Sequence, residues 1–444
     1  MKSFLRHILR KAGIEIRLVK KDARSRVASL AKAGRGEDER LVQHLTDGEN
    51  ATFFGYHDKT PFSGDGSKIL ACSVAAVDTD PGAECSRMEI GYFKKGDSGT
   101  FQPDFQRLTH TDSWCWQQGC MLQWNPVKPD REILFNRSGN HYHGSVVFDV
   151  EKRTVVNEFD TPIYSLDPKG RYAASLNFSR LGRLRPGYGY SIVPDPTRGV
   201  PAPSEDGVIL LDLQNGETSL LVSLEELADY TDRQSEHYIN HITFSPSGDR
   251  IVFFHIYDDR SGQRVIRMYL FDIPTSTLQL LEATRRVSHY CWRNDKQLFT
   301  TESGPTGGNC LYYLYDLETK SKKEIPLPNI GDLHPMFHPA DPNILVADSK
   351  PDRQGNQHLF LFDIESGGQG IGDRVQVIGN SVAGKEVGGD GLVTHIGTFY
   401  SPDAYRGSVR CDLHPRWDRE GRYVVVDTAE GGRRKMAVVE VKGI

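Results

Sequence analysis

The amino-acid sequence predicts an all-β chain: a seven-bladed β-propeller closed by an N-terminal strand and preceded by a short basic amphipathic helix or tail. Three observations predict it. One unit recurs seven times within the 444 residues. Each copy alternates apolar and polar residues between Gly, Asp, Asn and Pro turns, the pattern of consecutive antiparallel strands. A strand-like segment before the first copy resembles the outer strand that the last copy lacks.

Residues 1–40 precede the repeats and hold 12 Lys/Arg against 5 Asp/Glu, while the remaining 404 residues carry 42 against 54. Phe4, Leu5, Ile8 and Leu9 recur at helical spacing among Lys2, Arg6, Arg10 and Lys11, and Gly13 can end the helix. Arg6, His7, Arg10 and Lys11 interrupt the continuous apolar core that a signal peptide needs. Residues 1–21 read as a basic, partly disordered tail or a helix docked on the body, the alternative being a helix lying peripherally on the inner face of an anionic membrane. The expected division is 1–40 as this segment and 41–444 as the propeller.

The repeat unit is an aromatic, a turn such as SPSGDR, an apolar strand, a polar hairpin and a second strand ending in FD or YD. The clearest copy is 241–273, followed by 289–317, 334–364 and 414–441. Looser copies begin at 61, 122 and 165. Repeats of about 40–60 residues with this layout are the blades of a propeller. RLTHT, 107–111, reads as the outer strand of the first blade. LVQHLTDG, 41–48, resembles it and would complete the last blade, removing the free sheet edge. Two stretches break the period: 179–207, rich in Pro, Arg and Tyr, and the glycine-rich 380–409. Such insertions are functional loops or linkers.

A hydrophobic share of 38% with 25% charged residues, 43 glycines and 10% aromatics suits a globular β-rich body. The acidic propeller argues against nucleic-acid binding. Seven cysteines without a CxxC pair point to a reducing, cytoplasmic setting. No segment reaches the roughly 18–20 apolar residues of a membrane span. SGPTGGN, 303–309, lies between strands and offers no helix N-terminus for a phosphate. HYH, 141–143, reads as a solvated hairpin tip.

The chemistry lies in the histidines. His241, His289, His334 and His414 each stand three residues before Phe244, Trp292, Phe337 or Trp417, at the start of an innermost strand. Four blades would thus aim an imidazole at one channel mouth. His57 in FGYHDKTPF can reach the same mouth, and Gln117 and Gln118 come from the next blade. Converging neutral imidazoles suit a divalent metal, here Mn, Ca or Zn, or general acid–base work. Arg410 and Arg416 can clamp a carboxylate, and Arg185 and Tyr188 from the first insertion suit an anionic sugar. Metal, base and clamp together meet the needs of β-elimination on a uronate polymer. His57, Arg410 and Asp412 are the expected catalytic residues; Gln118, Arg416, Arg185 and Tyr188 the expected substrate contacts; and His241, His289, His334 and His414 the expected metal ligands.

HPRWDREGRYVVVDTAEGGRRKMAVVEV and NHITFSPSGDRIVFFH resemble blades of the oligogalacturonate lyase family. The resemblance spans roughly residues 50–444 and implies a seven-bladed propeller whose channel-mouth metal, held by histidines and a glutamine, assists uronate elimination. That family's compact Gln/His/His ligand set has no counterpart here; DLHPMFH and CDLHPRW offer Asp332, His334, His338, Asp412 and His414 instead. YHDKTPF, QQGCMLQW, VSHYCW and RCDLHPRW are also similar to uncharacterised propellers encoded among bacterial exopolysaccharide genes. The expected function is a metal-assisted polysaccharide lyase on an acidic oligo- or polysaccharide. Rival readings are a non-catalytic scaffold or glycan-binding protein of exopolysaccharide assembly, and a glycoside hydrolase, although Asp58, Asp332 and Asp412 give no unique carboxylate pair.

Overall fold

The computed structural model describes residues 42–229, 231–282, 287–304, 310–364, 376–377 and 393–442. The basic segment, the glycine run at 305–309 and most of 365–392 lie outside the described residues.

Seven antiparallel sheets form the blades, six of them with four strands in sequence order from the channel outward. Blade one is Ala51–Phe53, Lys68–Val74, Met88–Lys94 and Gln106–Thr111. Blade two is Gln123–Trp124, Glu132–Ser138, His143–Asp149 and Thr154–Phe159. Blade three is Ser165–Leu166, Tyr172–Ser175, Gly207–Asp212 and Thr218–Ser223. Blade four is Tyr238–Phe244, Arg250–Asp258, Arg264–Asp272 and Thr277–Glu282. Blade five is Val287–Asn294, Gln297–Ser303, Cys310–Asp316 and Ser321–Glu324. Blade six is Met336–Phe337, Ile344–Asp348, Asn356–Asp363 and Val393–Tyr400.

Blade seven takes Arg416–Trp417, Tyr423–Thr428 and Lys435–Lys442 from the C-terminal end, and its outer strand, Val42–Leu45, from the N-terminal side. Val42 pairs with Val439 and Leu45 with Met436, so the ring closes as the sequence predicts. Gln376–Val377 also pairs with the last strand.

Burial explains the patterning. The second strand of blade four, RIVFFHIYD, is buried along seven consecutive residues, because a middle strand is packed by neighbouring blades on both faces. Outer strands such as TVVNEF are exposed along almost their whole length. Apolar side chains fill the spaces between blades: Phe53, Phe62, Trp114, Trp116 and Trp124 pack with Val425 and Met436 across the closure.

Two expectations about loops need correction. The stretch 380–409 is not wholly an insertion, because Val393–Tyr400 is the outer strand of blade six, separated from its hairpin partner by the inserted residues. HYH is not a solvated tip throughout: His143 starts a strand and is buried, its Nδ1 2.8 Å from Ser113 Oγ and its ring against Tyr190. The insertion 179–207 is ordered. Its helix α1, Phe178–Leu184, is capped by Asn177. Arg180 on that helix is fully buried and donates to the backbone carbonyls of His237, Val200 and Pro201. All seven cysteines are free thiols. Among the described residues, no helix is long and apolar enough to cross a membrane.

Candidate metal centre at the channel mouth

His57 follows the innermost strand of blade one, on a loop that begins at Gly55. That glycine has φ +132, and a Cβ there would meet the Gln118 backbone at 2.8 Å, so only glycine lets the loop pass. His241 and His414 also have positive φ, 51° and 47°. Left-handed backbone at a bulky residue costs on the order of 1–3 kcal/mol and is held in place by its surroundings. At His241 it coincides with a bulge between Asn240 and Thr243, which turns the imidazole out of the strand's alternation.

The result is convergence. Ring centroids of His241 and His289 lie 5.9 Å apart, His289 and His334 4.3 Å, and His334 and His414 4.4 Å. His57 lies 5.7 Å from His289, 5.4 Å from His334 and 6.0 Å from His414. Tyr56 packs beneath, 4.9 Å from His241 and 5.0 Å from His414. All five histidines are buried.

The Nδ1 atoms of His57, His289, His334 and His414 face acceptors. His57 donates to the Pro335 carbonyl (3.1 Å) and His414 to the Gly55 carbonyl (2.7 Å). His289 meets Asp332 at 2.8 Å and His334 meets Asp348 at 2.9 Å. A carbonyl cannot donate, so His57 and His414 carry their proton on Nδ1 and keep the lone pair on Nε2. Orientation of a ligating imidazole through its second nitrogen is the usual support for metal binding. Burial pushes His57, His241, His334 and His414 well below the ordinary histidine value, so they are neutral at neutral pH. Burial also pushes the Asp348 carboxyl up to about 7, against the opposing charge of Lys350; above that pH it is a pure acceptor for His334.

The ligand atoms of His334, Asp412 and His414 lie within 4.8 Å of one another. His414 Nε2 is buried and has no partner among the described residues, an orphan that a cation would satisfy. Two neutral imidazoles and a carboxylate fit a divalent metal. Burial opposes ionisation of Asp412, but Lys350 and Arg410 outweigh it and hold the carboxyl well below its ordinary value. Lys350 Nζ lies 3.0 Å from Asp412 and 3.5 Å from His334 Nε2, and its side chain is 35% exposed. His241 and His289 stand at the edge of this trio, engaged by the Tyr56 hydroxyl at 3.2 Å and by Asp332.

Arg410 joins the trio to the first insertion. Its Nε meets Asp412 at 2.6 Å and its Nη2 donates to the Tyr188 hydroxyl at 2.5 Å. Arg185 lies over the Tyr188 ring, 4.4 Å from its centroid. Burial disfavours the Tyr188 phenolate, yet Arg410 and Arg185 outweigh it and hold the phenol below its ordinary value. Gln118 is buried nearby, donating to Tyr164 and Asn240 and leaving its Oε1 unpartnered among the described residues. Gln117 donates to the Ser408 and Arg410 carbonyls. Arg416 lies elsewhere: it is wholly buried and donates to the Gly55 and Tyr56 carbonyls and to Asp427. Those contacts make it a positioning residue for the His57 loop.

Sequence reasoning missed Tyr56, Lys350 and the paired aspartates. Asp348 and Asp427 occupy one repeat position, at LVAD and VVVD. Asp348 accepts the His414 backbone N–H from the next blade, and Asp427 accepts those of Phe54 and Gly55. This recurrence was visible in the repeats. Lys350 carried no such signal, because only one blade has it.

No protein-family model matches the chain and no curated protein matches it. Solved structures do. An oligogalacturonate lyase in complex with manganese is 13% identical, with a TM-score of 0.60 over 91% of this chain and 95% of that one. The oligogalacturonate lyase of Vibrio parahaemolyticus is 12% identical, with a TM-score of 0.59 over 91% and 94%. In architecture, the chain is a seven-bladed propeller like those of the oligogalacturonate lyases.

Proposed function

We propose that the channel mouth is a metal-assisted lyase site that cleaves a uronate-containing acidic glycan by β-elimination. The observation that carries this reading is the buried trio of His334, Asp412 and His414, with its orphaned Nε2, beside the Arg410–Tyr188 pair. His334, Asp412 and His414 would hold the ion, and a mixed imidazole–carboxylate set favours manganese or zinc over calcium. When bound, the cation supplies a Lewis acid that neutralises the uronate carboxylate and makes the adjacent proton acidic.

Arg410 and Arg185 supply a guanidinium clamp for that carboxylate. His57, neutral and fixed through the Pro335 carbonyl, takes the proton at Nε2. The electrons of the broken C–H bond form a carbon–carbon double bond, and the glycosidic C–O bond on the neighbouring carbon breaks. The leaving oxygen then takes a proton, so no water is consumed. Gln118, with a free amide oxygen, is a contact for a sugar hydroxyl. A cytoplasmic setting at the inner membrane face, reached through residues 1–21, and a role in exopolysaccharide metabolism complete the proposal.

A second reading has its own support. Lys350 and Arg410 together neutralise Asp412, which suits a site that binds an acidic glycan without cleaving it. A panel of uronate polymers, with manganese and with chelator, separates the two. The lyase reading expects chelator-sensitive ultraviolet absorbance from unsaturated uronate ends; binding without product supports the second.

A further inference from the structure

Two loops from different blades meet over the channel mouth: 185–190 of the insertion in blade three, and 406–410 before the innermost strand of blade seven. A Cβ added to Gly187, φ +90, would lie 2.9 Å from the Ser408 Cα, so the two backbones touch. Arg410 Nη2 donates to the Tyr188 hydroxyl at 2.5 Å, while its Nε holds Asp412. The buried Tyr188 ring lies 6.3 Å from that of His241. The bridge thus runs from the histidine of blade four to the ligand loop of blade seven, across the mouth. Behind it the five histidines are between 1% and 7% exposed. A side cavity of about 470 Å³ reaches Lys350, Arg410 and Asp412, but no histidine lines it. Neither a hydrated cation nor a sugar reaches the imidazoles while the loops stay together.

One residue fastens both loops. Gln117, on the segment between blades one and two, is 1% exposed. Its backbone N–H donates to the Gly187 carbonyl at 3.3 Å. Its Nε2 donates to the Ser408 carbonyl at 2.9 Å and to the Arg410 carbonyl at 2.8 Å. The base of each loop is held separately. Arg180 and Arg183 fix α1, the latter through Asp195 and Glu236, and the Tyr190 N–H donates back to the Phe178 carbonyl. On the other side, Arg434 Nη2 donates to the Val409 and Arg410 carbonyls, and Tyr405 to Asp78. The tips carry less: Pro186 and Gly407 are exposed. A segment held by few buried contacts opens without unfolding its scaffold. Here the hydrogen bonds of Gln117 and Tyr188 break and the blades stay intact.

We propose that these two loops are a gate over the histidine cluster, closed in this structure, and that Gln117 is the positioning residue that latches it. Opening carries Tyr188 and Arg410 off the mouth, and closing returns Arg410 to Asp412. The gate stands on the contacts between the loops and requires no particular ligand at the mouth.

Diethyl pyrocarbonate, a small reagent that acylates neutral imidazoles, reads the open state without metal or sugar. Modification is followed by peptide mass spectrometry at pH 7 in the wild type and in Gln117→Met, which keeps the side chain's length and loses its two donated hydrogen bonds. Exposed His110 and His141 give the reference rate, and His255, 0% exposed on the second strand of blade four, reports general loosening. His57, His241, His334 and His414 react far more slowly than the reference in the wild type. Gln117→Met raises their rates about tenfold or more, with His255 unchanged. Equal rates in variant and wild type overturn the latch, and a parallel rise at His255 overturns the gate. Wild-type mouth histidines that match the reference rate overturn it too, since the mouth is then open. Native-state hydrogen exchange of the wild type decides the matter if the variant does not fold. The amides of Gln117 and Tyr188 exchange by local opening, about a hundredfold or more faster than those of Val425 and Val426 in blade seven. Exchange of both sets at one global rate overturns the gate.

Discussion

The ammonium of Lys350 lies 3.0 Å from the carboxylate of Asp412, on one of the three side chains that form the candidate metal site. It also reaches His334 Nε2 at 3.5 Å. A bound cation and Lys350 therefore compete for the same ligands. Replacing Lys350 by Met removes a like charge and frees Asp412, so manganese affinity is expected to rise about tenfold or more by calorimetric titration. Unchanged affinity would show that Lys350 already stands clear of the ion.

Asp412→Asn is expected to act in the opposite direction. It removes the charged ligand and leaves Lys350 and Arg410 without their shared counter-ion. Manganese affinity should fall by more than the roughly 10–100-fold typical of outer-shell partners. Stability should fall by about 2 kcal/mol, a modest figure because both cations reach solvent. Chemical denaturation with and without manganese measures both effects.

Arg416 and Asp427 form a wholly buried clasp between blades seven and one. Arg416→Met leaves the buried Asp427 carboxylate without its cation and frees the Tyr56 carbonyl, so the expected loss is about 3–5 kcal/mol. Asp427→Asn in the same background should cost little more, since the two residues act as one unit. A double-mutant cycle with no coupling energy would contradict the clasp.

Glu84 gives a pH signature away from the site. Burial raises its carboxyl to about 7 from 4.5, opposed by one hydrogen bond from the Trp116 N–H. The folded chain thus binds this proton more tightly than the unfolded chain. Its contribution to stability is complete below about pH 4.5 and is lost as pH rises through about 7. Glu84→Gln keeps the acceptor and abolishes the loss. The variant should match the wild type at pH 4 and exceed it by about 2 kcal/mol at pH 8; equal stability at both pH values would refute the assignment.

The blades were legible because each carries its own turn and strand pattern, and the closing strand because Val42–Leu45 resembles Gln106–Thr111. The convergence of His241, His289, His334 and His414 was legible for the same reason: equivalent repeat positions become equivalent spatial positions. What the repeats do not encode is which lone pairs meet. A bulge turns His241 towards Tyr56, Asp332 takes His289, and Asp412, at the same offset before its histidine as Asp332, joins His334 and His414 instead. Arg416 and Arg410 look alike in the chain. One sits on a strand facing the blade interface and the other on the loop before it, a distinction that only packing makes.

The account's central claim is that His334, Asp412 and His414 hold a divalent ion at the channel mouth. Anomalous diffraction from crystals grown with manganese tests it most directly. The account predicts one strong peak coordinated by His334 Nε2, His414 Nε2 and Asp412, with Lys350 withdrawn and the peak lost in His414→Ala. Crystals with no anomalous peak at the mouth, or a peak bound by other residues with Lys350 still on Asp412, would contradict it.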